Sequence, residues 1–174
     1  MSKEREVRCY DYVNKPYEVV REALSGDSLA CFQNATRSAV ARSKSVAAEL
    51  RINVVGLDVA KDIDITVSSI KSTPRGFRSP PTTTLQLEWQ ASDTPTLFPV
   101  MKAELGIYPL TGEETQLEFI GHYEPPLGAL GTAIDAVVGR RVADACVHRF
   151  VADIIAYLRS DDVGATPRAD ATPA

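Results

Sequence analysis

The chain has 174 residues, of which 44% are hydrophobic and 24% charged, a length and balance that suit one soluble domain with a sizeable core. Lys and Arg number 19 and Asp and Glu 23, and the resulting charge of −4 argues against a general nucleic-acid binder. No apolar run approaches the ~18 residues of a membrane span, and the charged start, Met1 to Glu6, lacks the apolar core of a secretory signal.

Val7 to Val13 reads as a first strand. Asn14-Lys15-Pro16 opens a helix over Tyr17 to Leu24, because proline suits a first helical turn whose N–H has no partner. Gly26 is placed to end it, and Asp27 or Ser28 to cap a second short helix carrying Leu29, Ala30, Phe32 and Gln33. Thr36 to Ser45 is polar and arginine-containing and yields no clear element. From Val46 the apolar period becomes two: Val46, Ala48, Leu50, Ile52 and Val54 share one face of an expected strand. The same alternation recurs at Ile63, Ile65, Val67; at Leu85, Leu87, Trp89; at Ala103, Leu105, Ile107; and at Leu117, Phe119. One apolar face per strand is the mark of an antiparallel sheet with one buried side. Turns are expected at Gly56, Thr73 to Gly76, Pro80-Pro81, Asp93 to Pro95 and, as a hairpin, Thr111 to Glu114.

The segment Tyr123-Glu124-Pro125-Pro126-Leu127-Gly128-Ala129-Leu130-Gly131 ends the last strand, turns at two prolines and feeds a helical pattern reaching Arg159. Such a helix, of roughly 30 residues, is about 45 Å long. Its apolar phase changes near Gly139-Arg140-Arg141: Leu127, Leu130, Ile134, Val137 and Val138 share one face, whereas Val147, Phe150, Ile154 and Leu158 share another. Two accounts fit. The helix kinks or restarts at Gly139. Alternatively it is straight, and its inner stripe is small at one end, with Ala136, Gly139 and Ala143, and large at the other, with Val147 and Phe150. Ile134, Val137 and Val138 would then face outward and invite a partner or a second copy of the chain, a homodimer. In both accounts the small residues from Ala136 to Ala143 mark the place for a cavity. Residues 1–160 read as one domain and 161–174 as a disordered tail.

Cys9, Cys31 and Cys146 are odd in number, far apart and without CxxC spacing, which reads as free thiols in a reducing compartment, with the cytoplasm as the expectation. The two histidines and three scattered cysteines suggest no metal site, and no fingerprint for a cofactor is present. His148 follows Asp144 by one helical turn, either as a general base with its orienting carboxylate or, the preferred reading, as a solvated pair. His122 is expected opposite Phe119, and Tyr108 out of phase with Leu105 and Ile107. Arg140 either pairs with a ligand carboxylate or hydroxyl in the cavity or, preferred, lies along the surface. Arg37, Arg42 and Lys44 read as a solvated cluster.

The opening strand with two helices (Val7 to Gln33), the antiparallel meander and the Tyr-x-Pro-Pro-Leu-Gly-x-Leu-Gly approach to a long helix resemble the START-like, or SRPBCC, superfamily, which includes the birch-pollen-allergen proteins and the polyketide cyclase/dehydratase and lipid-transport group. The resemblance covers about residues 4 to 160 and implies an α+β helix-grip fold, a curved antiparallel sheet around the terminal helix with an apolar cavity between them. It implies binding of a lipid, polyketide, sterol or similar molecule. Trp89, Leu105, Phe119, Ala136, Gly139, Arg140, Ala143 and Val147 are the residues expected to line the cavity. The resemblance carries over no catalytic residue. The leading expectation is a non-catalytic carrier or sensor of a small hydrophobic molecule. The alternatives are a cyclase- or dehydratase-like enzyme with an acid–base group in the cavity, and an interaction module.

Overall fold

A computed structural model describes residues 4–26, 28–49, 63–91, 101–123, 132–160 and 163–164, with the side chains of 47–49, 91 and 132–138 outside the description. In chain order the elements are β1 (Arg5–Val13), α1 (Tyr17–Ser25), α2 (Leu29–Glu49), β2 (Ile63–Thr73), β3 (Thr82–Ala91), β4 (Met101–Pro109), β5 (Thr115–Tyr123) and α3 (Thr132–Arg159). The strands form one antiparallel sheet in the order β1-β5-β4-β3-β2, so β1 and β2 are its edges.

The alternation in the sequence becomes transverse rows on the inner face. One row is Cys9, Phe119, Leu105 and Leu85. The next is Val7, Gly121, Ala103 and Leu87, and the third is Arg5, Tyr123, Met101, Trp89 and Ile65. All are buried apart from Arg5, which is partly buried at the edge. The middle row is small at its centre. At Gly121 a Cβ would lie 2.6 Å from Met101 Sδ and 2.8 Å from Phe119 Cε1, so the neighbouring rows lean into the space that glycine leaves. On the opposite face Tyr108 is half-buried with its ring laid over Gly106, as its phase predicts.

Both α2 and α3 cover the inner face, and they pack against each other, α3 toward β1 and α2 toward β2. Their junction with the sheet is a four-ring cluster. Phe150 of α3 lies 5.0 Å from Trp89, 5.8 Å from Phe119 and 6.3 Å from Phe32 of α2, and Trp89 lies 5.7 Å from Phe119. These distances are those of favourable offset and edge-to-face ring pairs. The Trp89 indole N–H donates to Thr36 Oγ1 at 3.2 Å, which satisfies the one polar atom of the buried ring.

Three expectations need correction. The second helix is not short: α2 has 21 residues, and Thr36 to Ser45 belongs to it. Its buried positions Phe32, Ala35, Thr36, Ala39, Ser43 and Val46 follow helical spacing, but most are small or polar, and the apolar period is therefore faint. The strand expected from Val46 is likewise helical through residue 49, and its remainder, 50–54, lies outside the described residues, as do Gly56 and Asp93 to Pro95. Third, packing extends beyond residue 160. Val163 is buried, and Lys15 Nζ donates to the carbonyls of Ser160, at 2.9 Å, and Val163. Residues 165–174 of the expected tail lie outside the described residues.

The helix ends are largely as expected. Pro16 occupies the N-cap position of α1, and Gly26 ends that helix by donating its N–H to Glu22 at 3.0 Å. Ser28 precedes α2, but its hydroxyl donates back to the Leu24 carbonyl at 2.8 Å rather than capping the new helix. Residues 110–114 connect β4 to β5 as a hairpin, closed by Leu110 N–H to Glu114 O at 2.9 Å. Helix α3 is one unbroken element of 28 residues, so no restart occurs at Gly139.

Because Phe150 is the one ring in contact with the other three, Phe150→Ala is expected to destabilise the fold by about 3–5 kcal/mol, measured by urea unfolding. The same variant should shift the emission of Trp89, the sole tryptophan, to the red. A loss below about 1 kcal/mol would show that the rings do not hold the layers together.

Candidate functional site

Helix α3 is anchored on β1 at two points. Arg159 donates to the Tyr12 carbonyl at 3.1 Å, and His148 Nδ1 lies 3.3 Å from Cys9 Sγ. The helix therefore runs in the same direction as β1, and its earlier turns approach the end of the sheet that holds Arg5 and Tyr123. At that end β1, β2 and β4 begin and β3 and β5 finish. The Tyr123 hydroxyl is raised in pKa mainly by burial, and it also feels Arg5, Asp144 and Arg140, which puts the 140–144 turn of α3 beside it.

The inner stripe of α3 falls in size toward this end. Leu158, Ile155, Ile154, Val151 and Phe150 are buried and large, whereas Ala143 and Gly139 are buried and small. On the sheet only the middle row, Gly121 and Ala103, is small, and it lies between the Phe119 and Leu105 row and the Tyr123, Met101 and Trp89 row. Small residues on facing layers reduce the side-chain volume available to fill the gap between them. The candidate site is this end of the interlayer space. Its wall is Trp89, Met101 and Tyr123 on the sheet, with Gly139 and Ala143 on the helix.

Of the residues expected from the sequence, Trp89, Leu105, Phe119, Gly139, Ala143 and Val147 are all buried on inward faces. Trp89 and Phe119 belong to the ring cluster. Ala136 lies in α3, but its side chain is outside the described residues, as are those of Ile134, Val137 and Val138. Arg140, expected among the lining residues but preferred along the surface, does not face the inner layer. Its side chain is 78% exposed and lies 3.7 Å from Asp144 one turn on, because residue 140 falls beside the buried stripe rather than on it. Met101 and Tyr123 were missed: each sits at a strand end, where alternation has too few neighbours to assign a face.

The histidines also resolve. His122 is on the outer face, exposed, with Nε2 3.6 Å from Glu6. His148 meets Cys9, while Asp144 pairs with Arg140. Among the described residues no His, Asp or Glu is buried, and no group of three or more His, Cys, Asp and Glu is arranged to hold a metal ion. The buried polar side chains are Ser28, Thr36, Ser43, Thr83 and Thr115. The Tyr17 hydroxyl is 2.7 Å from Thr83 Oγ1, which is 2.9 Å from Ser72 Oγ, at the opposite end of the sheet. No described helix is long and apolar enough to cross a membrane.

No family model matches the chain, and no curated protein does. Solved structures do resemble it. Zhui aromatase/cyclase from a Streptomyces species shares 14% identity over 88% of this chain and 90% of that one, with a TM-score of 0.42. Norcoclaurine synthase from Thalictrum flavum, in complex with dopamine and hydroxybenzaldehyde, shares 10% over 90% and 86%, with a TM-score of 0.43. A major latex-like protein from Panax ginseng shares 8% over 90% and 99%, with a TM-score of 0.34. No residue role is carried over from any of them. What places the chain is its own architecture. With two helices between the first two strands, an antiparallel β1-β5-β4-β3-β2 sheet and a long terminal helix packed on its inner face, it has an α+β helix-grip fold.

Proposed function

We propose that the chain binds a small hydrophobic molecule, a lipid, polyketide or similar compound, between the sheet and α3 at the Trp89–Tyr123 end, as a carrier or sensor without chemistry. The observation that supports this reading is the narrowing of the inner stripe of α3 to Gly139 and Ala143 at the end where the sheet presents Trp89, Met101 and Tyr123, within an otherwise apolar inner layer. Affinity would come from apolar area removed from water, at about 25 cal/mol per Å² before ordering costs. Tyr123 and Trp89 supply amphipathic rings for orientation.

One contact favours a second reading, an enzyme. Cys9 and His148 form the only thiol–imidazole pair among the described residues, and such pairs act in nucleophilic catalysis. The environment opposes it. Burial pushes the Cys9 thiol up to about 11, so the thiolate needed for attack is scarce near pH 7. Burial does the same to Cys31, up to about 11, and to Cys146, up to about 12. Cys9, Cys31 and Cys146 are all free and buried, which supports a reducing compartment such as the cytoplasm.

Native mass spectrometry of the purified protein should show a co-purified apolar adduct, and titration with apolar aromatic compounds should change Trp89 emission. Ala143→Leu is the sharper test. It should lower such binding at least ~10-fold and leave the melting temperature unchanged or raised, the outcome expected where added methylenes take the place of a guest. A lower melting temperature with no binding in the parent protein would mean a solid interior, and the carrier reading would be lost.

The folded pKa values of the three thiols lie above the ordinary 9.0, so above pH 9 the unfolded chain holds fewer protons than the folded one. Stability should therefore fall as pH rises from about 9 towards 11, and Cys146→Ala should flatten that fall. A two-unit rise also slows alkylation of native Cys9 by about 100-fold relative to unfolded protein at pH 7.5. Fast alkylation of native Cys9 would favour the enzyme.

A further inference from the structure

The chain carries a net charge of −4, yet residues 65–87 contain no Asp or Glu and hold Lys71, Arg75 and Arg78. This stretch covers the distal part of the β2–β3 hairpin. Every residue from Lys71 to Pro80 is exposed, and the base of the tip borders grooves shared with Tyr17 and Glu18 of α1 and with the β4–β5 turn. Phe77 is 100% exposed, between the two arginines. The tip is a shaped element. The Gly76 N–H donates to the Ser79 carbonyl at 2.9 Å and closes a four-residue turn. Pro74, Pro80 and Pro81 stiffen its base, since each locks its own φ. None of Lys71, Arg75 and Arg78 has an ion-pair partner among the described residues.

We propose that the tip of the β2–β3 hairpin, 74–81, is a docking element for anionic lipid surfaces, with Phe77 seated among the headgroups and Lys71, Arg75 and Arg78 on the anionic charges. Aromatic rings settle at membrane–water interfaces, and nearby cations add attraction to anionic lipids. Each cation near such a surface raises partitioning by roughly fivefold, and three together by on the order of 100-fold. The association is weak and reversible, because one ring and three charges stay far below a stable anchor. A protein partner fits less well. It needs about 800 Å² on each side, which an eight-residue tip does not offer. The neighbouring β4–β5 turn carries Glu113 and Glu114, and repulsion from an anionic surface confines contact to the β2–β3 hairpin.

The test is flotation of the full chain with phosphatidylcholine vesicles, with and without about 30% phosphatidylserine, at about 50 mM and about 0.5 M NaCl. Binding is expected only with phosphatidylserine and only at low salt. Phe77→Ser should weaken it roughly tenfold, and the pair Arg75→Gln and Arg78→Gln at least tenfold, with melting temperatures unchanged because all three residues are exposed. Absence of binding to the anionic vesicles overturns the proposal. So does binding that both variants leave intact. Retention on single-stranded DNA or polyglutamate that needs Arg75 and Arg78, without vesicle binding, assigns the tip to another polyanion and also overturns it.

Discussion

The arrangement of this protein depends on one ring, Phe150, being in contact with three others from separate elements: Trp89 in β3, Phe119 in β5 and Phe32 in α2. A sheet and two helices have no obligatory spacing of their own. The interlayer distance is whatever the side chains between them require. Four large rings fill the space between the layers there. Toward the Tyr123 end the inner stripe of α3 becomes small, with Ala143 and Gly139, while the sheet keeps Trp89, Met101 and Tyr123.

Helix α2 has a related part. Its buried positions are mostly small, Ala35, Thr36, Ala39 and Ser43, and this lets a 21-residue helix lie close to the sheet and to α3. The two hydroxyls among them cost little. Thr36 accepts the Trp89 N–H, and Ser43 donates to the carbonyl of Val40 at 2.7 Å. An indole at the centre of the interior would otherwise leave its N–H unpaired, at a penalty of about 1–3 kcal/mol. Thr36 thus fixes the orientation of the ring on which the proposed pocket ends.

The strands were legible because each buries one face, and a period of two survives any detail of side-chain identity. β2, β3, β4 and β5 follow it directly. Six of the eight expected lining residues are inward for the same reason, or because they fall on one helical stripe. Helix α2 was obscured because hydrophobicity marks burial only where the buried side chains are large, and Ala48 with Val46 also fits an alternating pattern. Arg140 sits one residue from a buried glycine, and a single residue of helix turns a side chain through about 100°. The Cys9–His148 contact joins positions 139 residues apart, and no local spacing signals it.

The two ends of the sheet differ in a way that bears on what membrane contact does for the protein. Strand β2 begins beside the proposed pocket and ends at the basic hairpin tip. Its 11 residues at about 3.4 Å each separate the two by roughly 35 Å. That exceeds the ~8–10 Å over which surface charges act at physiological salt, and also the ~5–10 Å depth of an interfacial side chain. A molecule docked through Phe77 would therefore hold the Tyr123 end away from the lipid. The hairpin works as a tether that concentrates the protein near a surface, and a guest would exchange through water or with a partner at the opposite pole. Direct extraction from the bilayer would require the Tyr123 end to face the lipid, and the three cations of the tip would then contribute nothing.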